Sequence, residues 1–304
     1  MDRFEGIRAF VAVVDAGSFT AAGQRLGISN KLVSKYVAAL EQLQGVTLLN
    51  RTTRSLSLTL AGERYLVAAR RVLEAVEELD AQSHADEGVL TGRLRLTAPV
   101  TFGEMFIDIL TRDFLATHPA LDIDLRLSDR YVDLAAEGFD LAIRIGTLAD
   151  SSLIARRIGR TESWAVASPA YLARHPAPDH PDRLRDHICL RDGNLSQPNR
   201  ATFVIQGKAV SVPMPGRITV NSAQAVRRLA LSGEGIALSP RFVVAGDVAE
   251  GRLIRLLADF PGQQLDIQAL HLPQPFLPPR LTAYLDHLRT YLRPVIEEGL
   301  PPDS

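Results

Sequence analysis

Charge is distributed unevenly along the chain, and the division rules out one uniform domain. Residues 1–60 hold seven Lys/Arg against four Asp/Glu, residues 61–88 hold three against seven, and the remaining 216 residues hold 24 of each sign. That partition marks out a small basic module, an acidic connector and a large neutral body. Two of the three lysines, Lys31 and Lys35, fall within five residues of each other in the basic module. With 304 residues, 46% hydrophobic and 23% charged, the chain has enough apolar material for about two cores and does not read as disordered. The first apolar run, Ala9 to Val14, is far shorter than the roughly 20 residues of a membrane span. Asp2 and Glu5 stand where a secretory leader would be basic, so a soluble, cytoplasmic protein is expected. One cysteine, Cys189, excludes an internal disulfide framework, and seven scattered histidines form no HxH or HExxH pair. No metal or other cofactor is expected.

In the basic module, Ile7, Phe10, Val11 and Val14 recur at helical spacing and predict a helix over Phe4 to Ala16. Gly17 supplies a stop, and Ser18 caps a short second helix running to Leu26. After Gly27, Ser29 caps a third helix from Asn30 to about Gln44. Val33, Val37, Leu40 and Leu43 line one side of it, while Lys31, Ser34, Lys35 and Ala38 form a second stripe. Amines and a hydroxyl on one open face suit the acceptor-rich edges and phosphates of a DNA major groove, although such stripes are more often simply solvated. Val46 to Arg51 and Ser55 to Leu58 read as a hairpin with Arg51 and Arg54 at its tip. Three helices and a basic hairpin make a winged helix-turn-helix.

The runs Phe10-Val-Ala-Val-Val-Asp-Ala-Gly-Ser-Phe-Thr-Ala-Ala22, Leu26-Gly-Ile-Ser29 and Leu48-Leu-Asn-Arg-Thr-Thr-Arg54 resemble the N-terminal domain of LysR-type transcriptional regulators. The likeness is nearly continuous over residues 1–80. It implies that Ser29, Asn30, Lys31, Ser34 and Lys35 face an operator, with Thr20, Arg51, Thr52, Thr53 and Arg54 near the phosphates. The chain departs from the family pattern at Lys31-Leu32, where members often carry Pro or Ser and then Ala, which bears on the bases read.

In the connector, Tyr65, Ala69, Val72, Val76 and Leu79 repeat with spacings of four and three. This is a heptad seam that can pair two helices, or one apolar stripe lying on its own domain. The resemblance implies the former, a dimerising linker helix, with pairing of dimers into a tetramer left open.

In the body, strands around Leu94 to Thr97, Leu121 to Leu127 and Leu141 to Ile145 alternate with helical segments, as βαβ units do. The pattern restarts at Ser163 with Trp164 to Ala167 and ends in a strand at Leu265 to Leu270 and a helix from Arg280 to Leu292. This order resembles the family's α/β effector domain, a type 2 periplasmic-binding-protein-like pair of subdomains. The expected organisation is a winged helix-turn-helix over 1–58, a linker helix over 59–88 and an effector domain over 89–304. Within the last, subdomain I takes about 89–160 and 262–304, and subdomain II about 161–261.

Ligands of open parallel sheets bind beyond the carboxyl ends of strands. That rule nominates Thr97, Pro99, Val100, Thr101 and Phe102 after the first strand, Ser128 and Asp129 after the second, and Arg144, Ile145 and Gly146 at the third. Asn221 and Ser222 open a helix in the other half and could hold an anion. The hydroxyls equally suit helix caps, and Arg144 could be scaffold. Cys189 and Trp164 read as core. The expected function is a DNA-binding regulator that answers to a small organic acid. An enzyme built on the body lacks support from any GxSxG, P-loop or GxGxxG pattern, and a transport binding protein would not need the basic module.

Overall fold

The computed structural model describes residues 2–51, 56–83, 89–146 and 152–298. They fall into two compact units, Met1–Gly92 with Val132–Phe139, and Arg93–Tyr131 with Asp140–Ser304.

The first unit opens with α1 (Arg3–Ala16), α2 (Phe19–Leu26) and α3 (Asn30–Gln44). Each begins on a side-chain cap, Asp2, Ser18 and Ser29, and ends on a left-handed glycine, Gly17, Gly27 and Gly45. Such positive-φ stops are where glycine is needed. Phe10, Val33, Val37 and Leu40 are buried together with Leu48 and Leu49. The hairpin is β1 (Leu49–Arg51) against β2 (Leu56–Leu58), shorter than its sequence suggests. Glu41 holds its first strand by accepting from the Leu48 and Leu49 amides at 2.9 and 3.1 Å. α4 (Leu60–Ser83) follows.

In the second unit, β3 (Gly92–Ala98) leads into one helical stretch: α5 (Val100–Phe102), a π-helical turn (Gly103–Ile107) and α6 (Asp108–Thr117). β4 (Leu121–Leu127) and β5 (Leu141–Ile145) complete this half's forward strands, and β5 lies parallel to β3. α7 (Leu134–Glu137), between them in sequence, groups with the first unit.

β6 (Ile154–Ala167) is one unbroken strand, not a pattern that restarts at Ser163. Its first part pairs antiparallel with β13 (Gln264–His271), and from Ser163 onward it pairs with β11 (Ile236–Pro240) and β12 (Ile254–Leu256). Polar Arg156, Arg157, Arg160 and Glu162 break the apolar alternation where the strand changes partners, which is why periodicity shows only its far end. The return strand crosses so closely at Gly262 that an added Cβ would lie 1.9 Å from the Ser163 carbonyl oxygen.

The other half adds α8 (Pro169–Leu172), β7 (Cys189–Asp192), the hairpin β8 (Arg200–Ile205) with β9 (Lys208–Pro213), and β10 (Ile218–Val220). α9 (Ala223–Leu231) and α10 (Arg241–Ala249) complete it. The strand order is β10-β7-β11-β6-β13-β5-β3-β4, with β12 beside β6. α11 (Pro279–Glu298) returns to the first half, where Tyr284 meets Thr111 through their hydroxyls at 2.8 Å. Among the described residues, no helix is long and apolar enough to cross a membrane.

Candidate nucleic-acid interface and effector cleft

α3 buries Val33, Val37 and Leu40 and turns Asn30, Lys31 and Lys35 outward, with Ser34 half-buried. The turn before it is held by polar contacts among the nominated residues. Asn30 donates to the Thr20 hydroxyl at 3.2 Å, and the Ser34 hydroxyl donates to Asn30 Oδ1 at 3.4 Å. Ser29 Oγ accepts from the Leu32 amide at 3.2 Å, so it starts the helix rather than reaching outward. Thr20 and Asn30 therefore brace α2 against α3, and the two lysines project from the face opposite the buried Val33, Val37 and Leu40. Arg51 ends β1, with its side chain outside the described residues, and Thr52, Thr53 and Arg54 also lie outside them.

The linker seam needs correction. Ala69 is 2% exposed and Leu66 8%, both inside the core of the winged helix. Tyr65 meets Phe10 edge-on at 5.7 Å and its hydroxyl accepts from Gln44 at 3.4 Å. These positions serve their own domain. A stripe that packs on a local core has the same three-and-four spacing as a seam between chains, so spacing could not separate them. Val72 is 44% exposed, with Ala68 and Ala75 exposed beside it, while Val76 is half-buried. The side chain of Leu79 lies outside the described residues.

In the second unit, Thr97, Ser128 and Ile145 stand at the carboxyl ends of β3, β4 and β5, as the strand-end rule expects. Many of the nominated polar groups are engaged with nearby backbone amides. Asp129 accepts from the Val100 amide at 3.0 Å, and Ser128 Oγ accepts from the Arg130 amide at 3.3 Å. Ser222 Oγ caps α9 through the Ala225 amide at 3.2 Å. Pro99 precedes α5 without a capping side chain, and Gly146 takes φ 107°, a conformation that excludes most other residues. The Arg144 guanidinium donates to the Ile143 carbonyl at 2.8 Å and the Arg130 carbonyl at 3.1 Å, which holds it near the strand end. Thr97 Oγ1 is buried and has no partner among the described residues. Thr101 is buried, and Asn221 is exposed just ahead of the Ser222 cap.

Phe102 is a packing residue, contrary to its nomination. It is fully buried, 5.0 Å from Phe106 and 5.4 Å from Phe242 between ring centroids. Phe242 opens α10 in the other half, so this aromatic contact ties the two halves together.

Sequence reasoning missed the corresponding strand ends of the other half. β7, β10 and β11 run parallel and end at Asp192, Val220 and Pro240. Burial pushes the Asp192 carboxyl up; the Asn194 amide opposes this, and the negative charge of Asp129 on the other half adds to it. Applying the strand-end rule to β7 and β11 would have nominated Asp192 and Arg241. Trp164 is not core. It is half-buried, with the Arg255 guanidinium 4.3 Å and that of Arg241 5.5 Å from its ring, and its indole donates to Glu162 at 3.0 Å. Cys189 is buried and its thiol is pushed up to about 12 by burial, only partly offset by Arg191, so it stays protonated and unreactive at neutral pH.

A basic helix-turn-helix in one chain with a two-lobed α/β ligand-binding domain defines a ligand-responsive DNA-binding regulator. Residues 4–63 match the bacterial regulatory helix-turn-helix model of the lysR family, and residues 87–293 match the LysR substrate binding domain. The chain belongs to the LysR family of bacterial transcriptional regulators. It is 37% identical over 284 residues to the HTH-type transcriptional regulator PtxR of Pseudomonas aeruginosa, covering 93% of this chain and 91% of that protein. Among solved structures, CrgA, a LysR-type transcriptional regulator from Neisseria meningitidis, matches with TM-score 0.57 and 32% identity over 97% of this chain and 98% of that one. The full-length Vibrio cholerae virulence activator AphB matches with TM-score 0.60 and 29% identity, covering 96% of this chain and 99% of AphB.

Proposed function

We propose that the chain binds its operator through Lys31, Ser34 and Lys35 on α3 and through the wing arginines Arg51 and Arg54, and that it acts as a self-associated regulator. A small organic acid is the proposed effector, bound between the two lobes. The observation that carries the DNA reading is the pair of outward lysines on a helix whose opposite face is buried and whose start is braced by Asn30 and Thr20. A gel-shift titration against the DNA upstream of its own gene, with unrelated competitor, tests it. Binding no tighter than to the competitor overturns it.

For the effector, Arg144 is held at a strand end where a guanidinium can pair with a carboxylate. Asp129 and Asp192 on opposite lobes favour an acid that also carries a hydroxyl or ammonium donor. Regulation requires that the acid bind one lobe arrangement better than another, because equal affinity shifts no population. An acid found to raise the melting temperature should lose about tenfold or more in affinity in Arg144→Met, where a charge-assisted pair is removed. Full affinity retained in both Arg144→Met and Thr101→Val would place the anion elsewhere and make Arg144 scaffold.

Self-association is proposed through the exposed face of α4 around Val72. Val72→Asp is expected to leave the winged helix folded while the assembly sediments as smaller species, because a charge would enter an apolar contact. Ala69→Asp is instead expected to unfold the module, since that site is 2% exposed. An unchanged sedimentation coefficient for Val72→Asp would refute this face.

A further inference from the structure

The geometry points to a second small-molecule site in the lobe built from β3–β5, at the far end of the sheet from the cleft, for a small aromatic acid carrying a hydroxyl. A cavity of about 470 Å³ opens where β6 begins and β13 ends, beneath the loop that leads into α11. That volume lies within the range of small-ligand pockets. β13 runs antiparallel to β5, with Leu270 opposite Ala142, so His271 lies at the amino end of β5. The effector cleft lies at the carboxyl ends of β3, β4 and β5. The two sites are therefore on opposite edges of one sheet.

Ile154 is paired with His271 and Arg156 with Ala269, which sets Ile154, Arg156 and His271 on the same face. Arg156 and His271 are diagonal neighbours, with Cα atoms about 7–8 Å apart by ladder geometry. His271 is 3% exposed, and its Nδ1 lies 2.9 Å from the Leu272 carbonyl oxygen. A carbonyl only accepts, so Nδ1 carries a proton, and in the neutral form of an imidazole Nε2 is then an acceptor. That Nε2 is buried and has no partner among the described residues, although His271 is one of the residues that line the cavity. A buried acceptor left unmatched needs a reason, and a ligand hydroxyl reaching it as the loop side chains yield supplies one.

Arg156 supplies the matching cation. Its strand neighbours Arg157 and Arg160 both pair with Asp266, at 3.9 and 2.9 Å, whereas Arg156 on the opposite face makes no ion pair among the described residues. Ile154 and Leu277 give an apolar wall. Phe276, also lining the cavity, is 88% exposed, more than any other large apolar side chain among the described residues. A ring bound below it would cover that face, which favours an aromatic body over a short aliphatic one.

The test is calorimetric titration of the full chain with 3-hydroxyphenylacetate, phenylacetate and 3-methylphenol. The wild type should bind the first most tightly. Arg156→Gln, an exposed change that does not threaten folding, should weaken it by about tenfold. His271→Phe should erase the preference for 3-hydroxyphenylacetate over phenylacetate, because the hydroxyl has lost its acceptor. Arg144→Met should change nothing. The proposal is overturned if the wild type binds none of the three at millimolar concentration, or if Arg156→Gln binds as the wild type does. Loss of binding in Arg144→Met alone would assign the acid to the cleft instead. Should His271→Phe melt early by circular dichroism, Arg156→Gln and the phenylacetate comparison in the wild type still decide.

Discussion

A Lys31→Ala/Lys35→Ala variant is expected to lose specific operator binding by about 1–3 kcal/mol for each side chain that reads a base edge. α3 buries one face and caps on Ser29, and neither lysine touches that core, so the variant should melt like the wild type. The loss should appear as a smaller ratio of specific to competitor affinity. Removing Arg51 or Arg54 in the wing should act differently, weakening binding to all sequences and reducing the dependence on salt by about one unit of log–log slope per lost phosphate contact. Fluorescence anisotropy at several salt concentrations distinguishes the two effects. Unchanged operator affinity in the double lysine variant at moderate salt would remove α3 from the recognition surface.

The module that carries this prediction was legible because its signals are local. Asp2, Ser18 and Ser29 as caps, Gly17, Gly27 and Gly45 as stops, and the buried Val33-Val37-Leu40 row all lie within a few residues of what they determine. The effector domain was legible in class but not in detail. β6 is read in full only when its partners are known, because a strand that leaves one sheet half for another loses the alternation a single buried face imposes. The β8–β9 hairpin turns through Gln206 at φ 49° and Gly207 at φ 75°. Its first turn residue is not the Asn or Asp that usually marks such a turn, so the sequence carries half the signal. The linker fails for another reason. Ala69 belongs to a core that only the folded module creates, and its spacing is equally that of a dimer seam. For the effector site, positions at strand ends could be nominated, but whether a polar side chain caps a helix or meets a ligand depends on neighbours far away in sequence. Asp129 at the Val100 amide is one such case.

Asp247→Asn is expected to destabilise the lobe that contains α9 and α10 by about 1–3 kcal/mol, because the buried carboxylate is lost while the partly exposed Arg227 and Arg252 it leaves behind still reach water. The Asp247 carboxylate is buried and accepts from Arg227 on α9 at 2.8 Å and from Arg252, after α10, at 2.8 Å. Burial alone would raise its pKa, but the hydrogen bonds and charges of Arg227 and Arg252 outweigh this and hold it below the usual carboxylate range. A carboxyl with a depressed folded-state pKa contributes stability above its unfolded value of about 3.9, and that stability is lost as pH falls through the folded value. The wild type should therefore weaken on acidification below about pH 4, and Asp247→Asn should lack that component while being weaker at neutral pH. Urea titrations at neutral and acid pH read both effects. The network also bears on how the lobes meet, because α10, which carries Asp247, opens at Arg241 and Phe242, and Phe242 packs on Phe102 of the other lobe. Loosening it should lower effector affinity without any substitution in the cleft itself. A neutral-pH stability within about 0.5 kcal/mol of the wild type, the range of an ordinary surface change, would show that the two arginines do not depend on Asp247.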